Sequence, residues 1–454
     1  MAESNVGPSA EGLRVAVVGA GPAGFYATDF LLKQGASVDL FERLPAPFGL
    51  LRYGVAPDHQ NIKRAGAAFE RTALNPKVRY FGNVSVGRDL AVSELLADYD
   101  QVLFAIGAAT DKKLGVPGED LAGSIAATAF VNWYNGHPDA SADSYDLSQR
   151  HAVIVGMGNV ALDVARILVR RPTELANTDI AGYALAALEK SQVREVVLLG
   201  RRGPAQAAFD QGELSDIADL PGVQVVMDSE VSLEGLHDLP AAARRNVEYL
   251  ATLPRAASPE AERVVRLRFL ASPHEVLGEA GRVRALRVEE NELETRPDGS
   301  VSARGTGRIE TLEAGMVVRS IGYQATPTPG LPFDSRGSVV PNVQGRVGKP
   351  GEIMDRCYVV GWIKRGPVGL LGTNKQDAKE TVDHMLADRE AALSGRDKRA
   401  AGSAVALLRE RGTRLVSYAD WQRIDEKERA RGAEHGKIRE KFSTVAAFLA
   451  ALDG

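Results

Sequence analysis

The sequence lacks the cysteines that several redox classes need. Its 454 residues include one cysteine, Cys357, which excludes an internal disulfide, a pair of redox thiols and an iron–sulfur cluster ligated by cysteines. Among its longest apolar runs is Val445–Leu452, far short of the ~20 residues that cross a bilayer. The seven histidines are scattered without metal-site spacing, so the sequence predicts no metal.

The sequence also lacks a large excess of charge of either sign. The chain has 55 basic and 59 acidic residues and a net charge of −4, whereas a nucleic-acid binder carries a basic footprint. Residues 1–11 show neither a secretory nor an organelle-targeting pattern, so we expect a cytoplasmic protein. At roughly 150 residues per domain, the length predicts two or three domains.

One construction occurs twice: an apolar run predicted as a strand, a glycine-rich turn and a predicted helix. The first copy is Arg14–Gly24, with G-x-G-x-x-G, and the second is His151–Ala161, with G-x-G-x-x-A. In such a turn the second glycine lets the backbone approach a pyrophosphate, and the helix N-terminus offers free N–H groups. Two copies far apart in sequence therefore predict two separate dinucleotide-binding units.

The residues after the second strand of each unit indicate which nucleotide it binds. Ser37–Glu42 ends in a carboxylate, which suits a ribose with free hydroxyls and repels a 2′-phosphate, so this unit is predicted to bind FAD or NAD. Glu195–Gly200 is followed by Arg201 and Arg202, whose guanidiniums suit the 2′-phosphate of NADPH. In the second unit, the stretch from the first glycine of the turn, Gly156, to Arg201 is about twice the usual ~20 residues. This extra length predicts an insertion looped out near residues 170–190.

Strand-like runs at Tyr99–Gly107, Met316–Gly322 and Cys357–Gly361 suggest how the two units are connected. Since the first unit needs a late strand to complete its sheet, we expect the NADPH unit to be inserted into the other. The predicted fold class is α/β, with two Rossmann-like domains in a glutathione-reductase-like flavoprotein architecture. The predicted bounds are 1–107 and 331–454 for the first domain, with a C-terminal helical tail, and 108–330 for the inserted NADPH domain.

Two further segments carry predictions about structure. Stretches rich in glycine and proline at Gly107–Asp120 and Gln324–Pro332 are predicted to be the two connections between the domains, and therefore hinges. Arg423–Lys441 mixes both signs of charge at helical spacing. This pattern predicts a solvated helix rather than an anchor.

Pro47–His59, Pro-Phe-Gly-Leu-Leu-Arg-Tyr-Gly-Val-Ala-Pro-Asp-His, resembles a signature of the adrenodoxin reductase family. These flavoenzymes move electrons from NADPH to small iron–sulfur proteins, and the chain is especially similar to the bacterial NADPH–ferredoxin reductases. The resemblance spans nearly the whole chain. Further matches lie at residues 82–87, 116–123, 158–166, 200–204, 327–334 and 361–367.

The resemblance implies FAD and NADPH as cofactors and a set of residues that contact them. The residues implied for FAD are Gly19, Ala20, Gly21, Ala23, Gly24, Glu42, Leu50, Val86, Trp362, Gly369, Leu370 and Leu371. The residues implied for NADPH are Met157, Gly158, Asn159, Val160, Arg201, Arg202 and Glu213. Gly212 and Gly372 depart from the family pattern, but neither change removes a functional side chain.

His59 and Trp362 each have two interpretations. By family likeness, His59 pairs with Glu213 as the catalytic pair near the nicotinamide; alternatively, it is a structural histidine that closes the turn at Pro57–Asp58. Trp362 packs either beside the flavin or simply in the protein core.

The leading functional hypothesis is an FAD-dependent oxidoreductase that passes a hydride from NADPH to FAD and then single electrons to ferredoxin. Alternatives are a flavin-dependent NADPH quinone or dye reductase, a monooxygenase, and a dinucleotide-binding sensor without turnover. The expected partner is an acidic iron–sulfur protein, which needs a positive patch; the oligomeric state stays open, a monomer included. Candidate patches are the pairs Arg170–Arg171, Arg244–Arg245, Lys364–Arg365 and Lys398–Arg399.

Overall fold

A computed structural model describes residues 10–140, 144–229, 231–369, 371–394 and 402–453. Its strands are β1 (Arg14–Val18), β2 (Ser37–Phe41), β3 (Val78–Phe81), β4 (Gln101–Phe104), β5 (Thr110–Asp111), β6 (Ser124–Ala126), β7 (His151–Val155), β8 (Glu195–Gly200), β9 (Val223–Met227), β10 (Arg263–Phe269), β11 (Ala271–Glu279), β12 (Arg282–Thr295), β13 (Val301–Glu313), β14 (Met316–Arg319), β15 (Tyr323–Gln324), β16 (Asn342–Val343), β17 (Arg346–Lys349) and β18 (Glu352–Val359).

Helices cover both faces of the sheet that contains β1, and they cover one face of the sheet that contains β7, whose other face packs against β11 and β12. The helices are α1 (Pro22–Lys33), α2 (Leu50–Tyr53), α3 (Gln60–Lys63), α4 (Gly66–Ala73), α5 (Val92–Asp98), α6 (Ala127–Tyr134), α7 (Asn159–Val169), α8 (Pro172–Leu175), α9 (Gly182–Glu189), α10 (Gln211–Ala218), α11 (Ala241–Thr252), α12 (Trp362–Arg365), α13 (Leu371–Ala387), α14 (Arg389–Leu393), α15 (Ser403–Glu410), α16 (Tyr418–Ala433) and α17 (Val445–Asp453). Over the described ranges, no helix is both long and apolar enough to span a membrane.

The first sheet has the order β16-β17-β18-β4-β1-β2-β3. The late strand β18 pairs in parallel with β4, with Cys357 opposite Val102, which confirms that the run at Cys357–Gly361 completes the sheet begun by β1. Along β1, Val15 and Val17 join one buried apolar cluster while Ala16 and Val18 join another. The parallel part of this mixed sheet, covered on both faces, therefore forms the core of the unit, while β16 and β17 extend its edge antiparallel.

The second sheet has the order β6-β14-β7-β8-β10-β9, and each of its pairs is parallel. All of its strands lie between β4 and β18 in sequence, so the α/β class with two Rossmann-like units is confirmed. The bounds at residues 107 and 330 stay a prediction. A third, antiparallel sheet, β11-β12-β13, leads from β10 back to β14.

The two predicted connections lie side by side. Strand β5 pairs antiparallel with β15, Asp111 lying opposite Tyr323 and Thr110 opposite Gln324. The Thr110 hydroxyl also donates to the carbonyl oxygen of Gln324, at 2.8 Å. The chain therefore crosses between the sheets as one hydrogen-bonded ribbon rather than as two independent hinges.

The insertion near residues 170–190 is not looped out as the sequence analysis predicted. It forms α8 and α9, and Leu175, Ile180 and Leu188 are buried in the core of the second unit. The apolar residues of this segment explain the difference, because burying them removes apolar area from water.

The prediction of a solvated helix over Arg423–Lys441 was also wrong in part. Helix α16 ends at Ala433, and Glu428 on it is fully buried. Lys437 and Lys441 lie beyond the helix and are buried too. Mixed charge predicts a solvated face only where the charges reach water, whereas these charges have partners inside the protein.

The carboxylate of Glu428 faces the buried Arg52 guanidinium, whose Nη2 lies 2.6 and 2.7 Å from its two oxygens. Removing one partner of such a pair leaves an uncompensated buried charge, which costs about 3–5 kcal/mol. Glu428→Gln should therefore lower the free energy of unfolding by about that amount in urea titrations. The control is Asp29→Asn, which breaks the exposed Lys33–Asp29 pair and should cost less than about 0.5 kcal/mol. Equal losses of unfolding free energy in the two variants would contradict a stabilising role for the buried Arg52–Glu428 pair.

Candidate functional site

A cavity of about 1710 Å³ lies where strands of both parallel sheets end. Its wall includes residues that follow β1, β2 and β4 in the first sheet, and β7, β8 and β14 in the second. Ligands of open α/β sheets bind in the crevice at the carboxyl ends of the strands. The cavity is therefore the candidate site for both nucleotides.

Most of the residues singled out from the sequence lie on this cavity. Its wall includes His59 together with Gly19, Gly21, Ala23, Glu42, Leu50, Val86, Met157, Gly158, Asn159, Val160, Arg201, Arg202, Glu213, Trp362, Gly369 and Leu371. Ala20 and Gly24 stand behind it, and Leu370 lies outside the described residues. Their roles as ligand contacts stay predictions.

The first glycine-rich turn has the shape expected for pyrophosphate binding. Gly19 has φ +106°, and a Cβ there would lie 2.5 Å from the carbonyl oxygen of Ala105, so a side chain is excluded. A Cβ on Gly21 would meet open space instead. The turn therefore leaves a free approach to the N-terminus of α1, where unpaired N–H groups favour an anion.

Glu42 connects this turn to the end of β2. Its two carboxylate oxygens accept the backbone N–H groups of Ala20, at 2.8 Å, and Leu44, at 3.1 Å. Burial raises the pKa of Glu42 while these backbone donors lower it. The backbone of Ala20 therefore contacts Glu42, and Ala20 itself is not part of the cavity wall.

The second glycine-rich turn is held by the chain segment before α10. A Cβ on Gly158 would meet open space, as on Gly21. The Asn159 side-chain oxygen accepts the backbone N–H of Asp210 at 2.8 Å, and the Met157 carbonyl accepts that of Ala208 at 2.9 Å. These bonds fix Glu213, on the first turn of α10, relative to the turn.

Arg201 and Arg202 are exposed at the edge of the cavity. Within the part of the chain that the structure describes, neither guanidinium has a carboxylate within 4 Å, although many other arginines are paired. Two unpaired guanidiniums after β8 are what binding of a 2′-phosphate requires.

Sequence reasoning missed Asn291, which holds this pair in place. Asn291 is 5% exposed and lies at a register shift in β12. Its side-chain nitrogen donates to the carbonyl oxygen of Arg201 at 2.9 Å and to the Ser272 hydroxyl at 2.7 Å. An asparagine within a run of glutamates gave no signal, because the contact depends on how the third sheet packs against the second.

His59 and Glu213 face each other across the two units, with His59 Nε2 3.6 Å from the Glu213 carboxylate. The His59 backbone N–H also donates to the carbonyl of Ala56 at 3.0 Å, closing the turn. Both interpretations of His59 are thus compatible with the geometry, one through its side chain and one through its backbone. Burial and the nearby Arg166 lower the pKa of His59, and burial raises that of Glu213.

Arg166 is almost fully buried and holds the carboxylates around this pair. Its guanidinium lies 2.8 Å from Asp58, 2.6 Å from Asp163 and 3.2 Å from Glu213. Burial raises the pKa of Asp163 to about 6. For Asp58, burial is outweighed by Arg166, and the pKa falls to about 2. The sequence showed Arg166 and Asp163 only as parts of a matching motif, with no role attached.

Trp362 follows the late strand β18 and packs against Tyr323 of the ribbon, with ring centroids 5.0 Å apart. Its indole nitrogen is buried and has no hydrogen-bond partner among the described residues. Buried Trp N–H groups normally have a partner. The unpartnered donor on the cavity wall therefore fits a polar group of a bound flavin. The open space at Gly21 fits the pyrophosphate of FAD, and the unpaired Arg201 fits the 2′-phosphate of NADPH.

Comparisons with known proteins show the family to which this fold belongs. A family model described as pyridine nucleotide-disulphide oxidoreductase matches residues 13–248. NADPH-ferredoxin reductase FprA of Mycobacterium leprae is 47% identical, with 96% of this chain and 97% of that protein covered. The mitochondrial NADPH:adrenodoxin oxidoreductase of Arabidopsis thaliana is 42% identical, with 98% and 96% covered. The structure of Mycobacterium tuberculosis FprA in complex with NADPH superposes with a TM-score of 0.92 at 44% identity, covering 97% of this chain and all of that one.

Asn291→Ala should raise the KM for NADPH by about fivefold, since one hydrogen bond is worth ~1 kcal/mol and its loss frees the Arg201 backbone. The KM for NADH, which lacks the 2′-phosphate, and kcat at saturation should stay unchanged. Glu292→Gln is the control, because this neighbour pairs only with exposed Arg304. Steady-state kinetics with both nucleotides measures the effect, and a parallel rise in both KM values would make Asn291 merely structural.

Proposed function

The chain belongs to the pyridine nucleotide-disulphide oxidoreductase family and, within it, to the NADPH-dependent ferredoxin and adrenodoxin reductases; on this premise we propose that it transfers electrons from NADPH through FAD to a ferredoxin. The observation that carries the proposal is the shared cavity. One nucleotide turn is followed by an acid, the other by two unpaired arginines, and His59 and Glu213 meet between them.

Disulfide chemistry, which the family description includes, does not apply to this chain. Cys357 is the one cysteine of the sequence, and it is buried within β18. Burial raises the pKa of its thiol to about 12, so the reactive thiolate is not formed at neutral pH. The reduced state of a lone buried thiol also suits the cytoplasmic location that we include in the proposal.

FAD supplies the chemistry when it is bound: it takes a hydride from NADPH and gives up electrons one at a time. The protein binds and orients the two nucleotides. The turn at Gly19–Gly24 and the N-terminus of α1 bind the FAD pyrophosphate, and Glu42 its ribose. Arg201 and Arg202 would bind the 2′-phosphate of NADPH, and the positive end of α13, whose first residue Leu371 lies on the cavity wall, would stabilise negative charge on a bound flavin.

His59 and Glu213 act at the meeting point of the two units. Because the pKa of His59 is lowered and that of Glu213 is raised, both groups are shifted toward their neutral forms. A neutral imidazole can hold a hydrogen bond at Nε2 without placing a positive charge beside the incoming nicotinamide. We therefore assign to this pair the orientation of the nicotinamide.

The proposal is tested by stopped-flow absorbance of the flavin band, with NADPH and then with ferredoxin and cytochrome c. Fast bleaching by NADPH and ferredoxin-dependent reduction of cytochrome c support it. Bleaching without reoxidation by ferredoxin would contradict it, in favour of a quinone or dye reductase or a monooxygenase. Nucleotide binding without bleaching would indicate a sensor. His59→Gln should keep FAD bound but slow bleaching on the order of tenfold, as expected for the loss of one well-placed hydrogen bond.

The structure narrows the candidate docking patches for an acidic ferredoxin. Arg170 and Arg171 pair with Asp58 and Glu262. Lys364 and Arg365 both pair with Asp377, and Lys364 also pairs with Glu380. Lys398–Arg399 lies outside the described residues. A patch whose cations already have carboxylate partners offers little to an acidic protein.

The pair Arg244–Arg245 on α11 fits the partner best. Neither has a carboxylate within 4 Å among the residues described. Helix α11 contacts the segment that precedes the cavity residue Asp210, because Asn246 donates to the carbonyl of Phe209 at 2.9 Å. We therefore place ferredoxin on this face.

Replacing Arg244, which is half-buried, and Arg245, which is exposed, by alanine should lower kcat/KM for ferredoxin by about fivefold, ~1 kcal/mol for the two charges. The decrease should shrink as salt rises, because salt screens the attraction. Arg304→Ala with Arg308→Ala is the matched control: it removes the same charge from arginines that are paired on β13. Cytochrome c reduction through ferredoxin is the measurement. A flat salt profile, or equal losses in both double variants, would contradict this docking face.

A further inference from the structure

A second, smaller cavity of about 530 Å³ lies on the other side of His59 and Glu213, which border both cavities. Its wall carries five carboxylates, but only two guanidiniums, those of Arg166 and Arg170. The excess of negative charge makes this cavity a place where a cation is favoured. Nothing in the proposed electron-transfer function uses it.

Three side chains in this cavity bring metal-ligating atoms together. Ligand atoms of His59, Glu213 and Asp216 all lie within 4.8 Å of one another. His59 Nε2 is 3.6 Å from the Glu213 carboxylate and 3.9 Å from that of Asp216. Bonds of about 2.0–2.2 Å around tetrahedral Zn²⁺ place neighbouring ligand atoms roughly 3.3 Å apart. Both distances from His59 Nε2 exceed this spacing by less than about 1 Å, and side-chain rotations within the 4.8 Å cluster would bring all three ligands onto one ion.

The backbone supports two of these ligands firmly. Glu213 and Asp216 are three residues apart on α10, so their side chains share one face of the helix. The helix is capped by Asp210, whose carboxylate accepts the backbone N–H of Gly212 at 3.0 Å. His59 comes from the other unit, just before α3. Sequence spacing predicted no metal because this histidine is far along the chain from the two acids.

The electrostatics of the cluster also suit a cation. The positive charge of Arg166 opposes a second cation, but Asp58 and Asp163 lie 2.8 and 2.6 Å from it and balance that charge. Asp216 is 62% exposed, which gives an ion a path from solvent.

We propose that His59, Glu213 and Asp216 form an inhibitory site for Zn²⁺, with water in the fourth position. A ring nitrogen with two carboxylates suits Zn²⁺, whereas Mg²⁺ and Ca²⁺ prefer six or more oxygens. The bound ion joins the two units and occupies the His59–Glu213 pair. Zinc therefore slows flavin reduction reversibly, while both nucleotide turns stay free.

The test uses the tag-free holoenzyme and Zn²⁺ as the probe, measured by isothermal titration calorimetry. We expect one strong site per chain in the wild type, and at least about tenfold weaker binding in Asp216→Asn. Asp219→Asn is the matched control, because Asp219 lines the same cavity but lies outside the cluster; it should bind like the wild type. Equal binding by all three proteins, or equal weakening in both variants, would overturn the site.

A second measurement tests inhibition. Flavin bleaching by NADPH is followed with Zn²⁺, with Mg²⁺ and after addition of EDTA, and each rate is compared with that of the same variant in EDTA. Zinc should slow the wild type and Asp219→Asn but not Asp216→Asn, and EDTA should restore the rate. Inhibition that persists in Asp216→Asn, or an equal effect of Mg²⁺, would overturn the proposal. The calorimetric result needs no ferredoxin, so failure of the site and failure of the proposed function are distinguishable.

Discussion

The guanidinium of Arg166 is the contact on which the site depends. It is buried on α7 of the second unit, and it binds Asp58 of the first unit together with Asp163 and Glu213 of its own. A buried charge of this kind is stable only when its partners are all in place. The ion pair between Arg166 and Asp58 therefore joins the two units and also positions His59, which directly follows Asp58. The ion pairs of Arg166 thus hold the two units together and also position the candidate site residues His59 and Glu213.

Much of this arrangement is predictable from the sequence because it is local. Each glycine-rich turn, the acid at Glu42 and the pair Arg201–Arg202 lie next to a strand, and a strand end fixes where they point. The insertion of one unit into the other is also predictable, since a sheet that begins with β1 needs β18 to complete it. The family resemblance added the pairing of His59 with Glu213, which no local pattern shows.

What the sequence did not predict depends on contacts between distant segments. Asn291 reaches Arg201 only because the third sheet packs on the second. Glu428 and Lys441 look like surface charges in a mixed run, yet their partners are Arg52 and Asp179, hundreds of residues away. Periodicity describes a segment alone, and these side chains are buried by the rest of the protein. For the same reason, the sequence did not show that Asp216 lies beside His59.

The ribbon of β5 and β15 makes the inserted unit separable in a practical sense. Since Asp111 lies opposite Tyr323, the chain leaves the first unit and returns to it at neighbouring points. Any module inserted there has to span only the short distance between these two points. Recombination at the ribbon would exchange one pyridine-nucleotide module for another without stretching the scaffold. Nucleotide preference could then change by exchange of whole modules, provided that each new module supplies its own counterpart of Arg166.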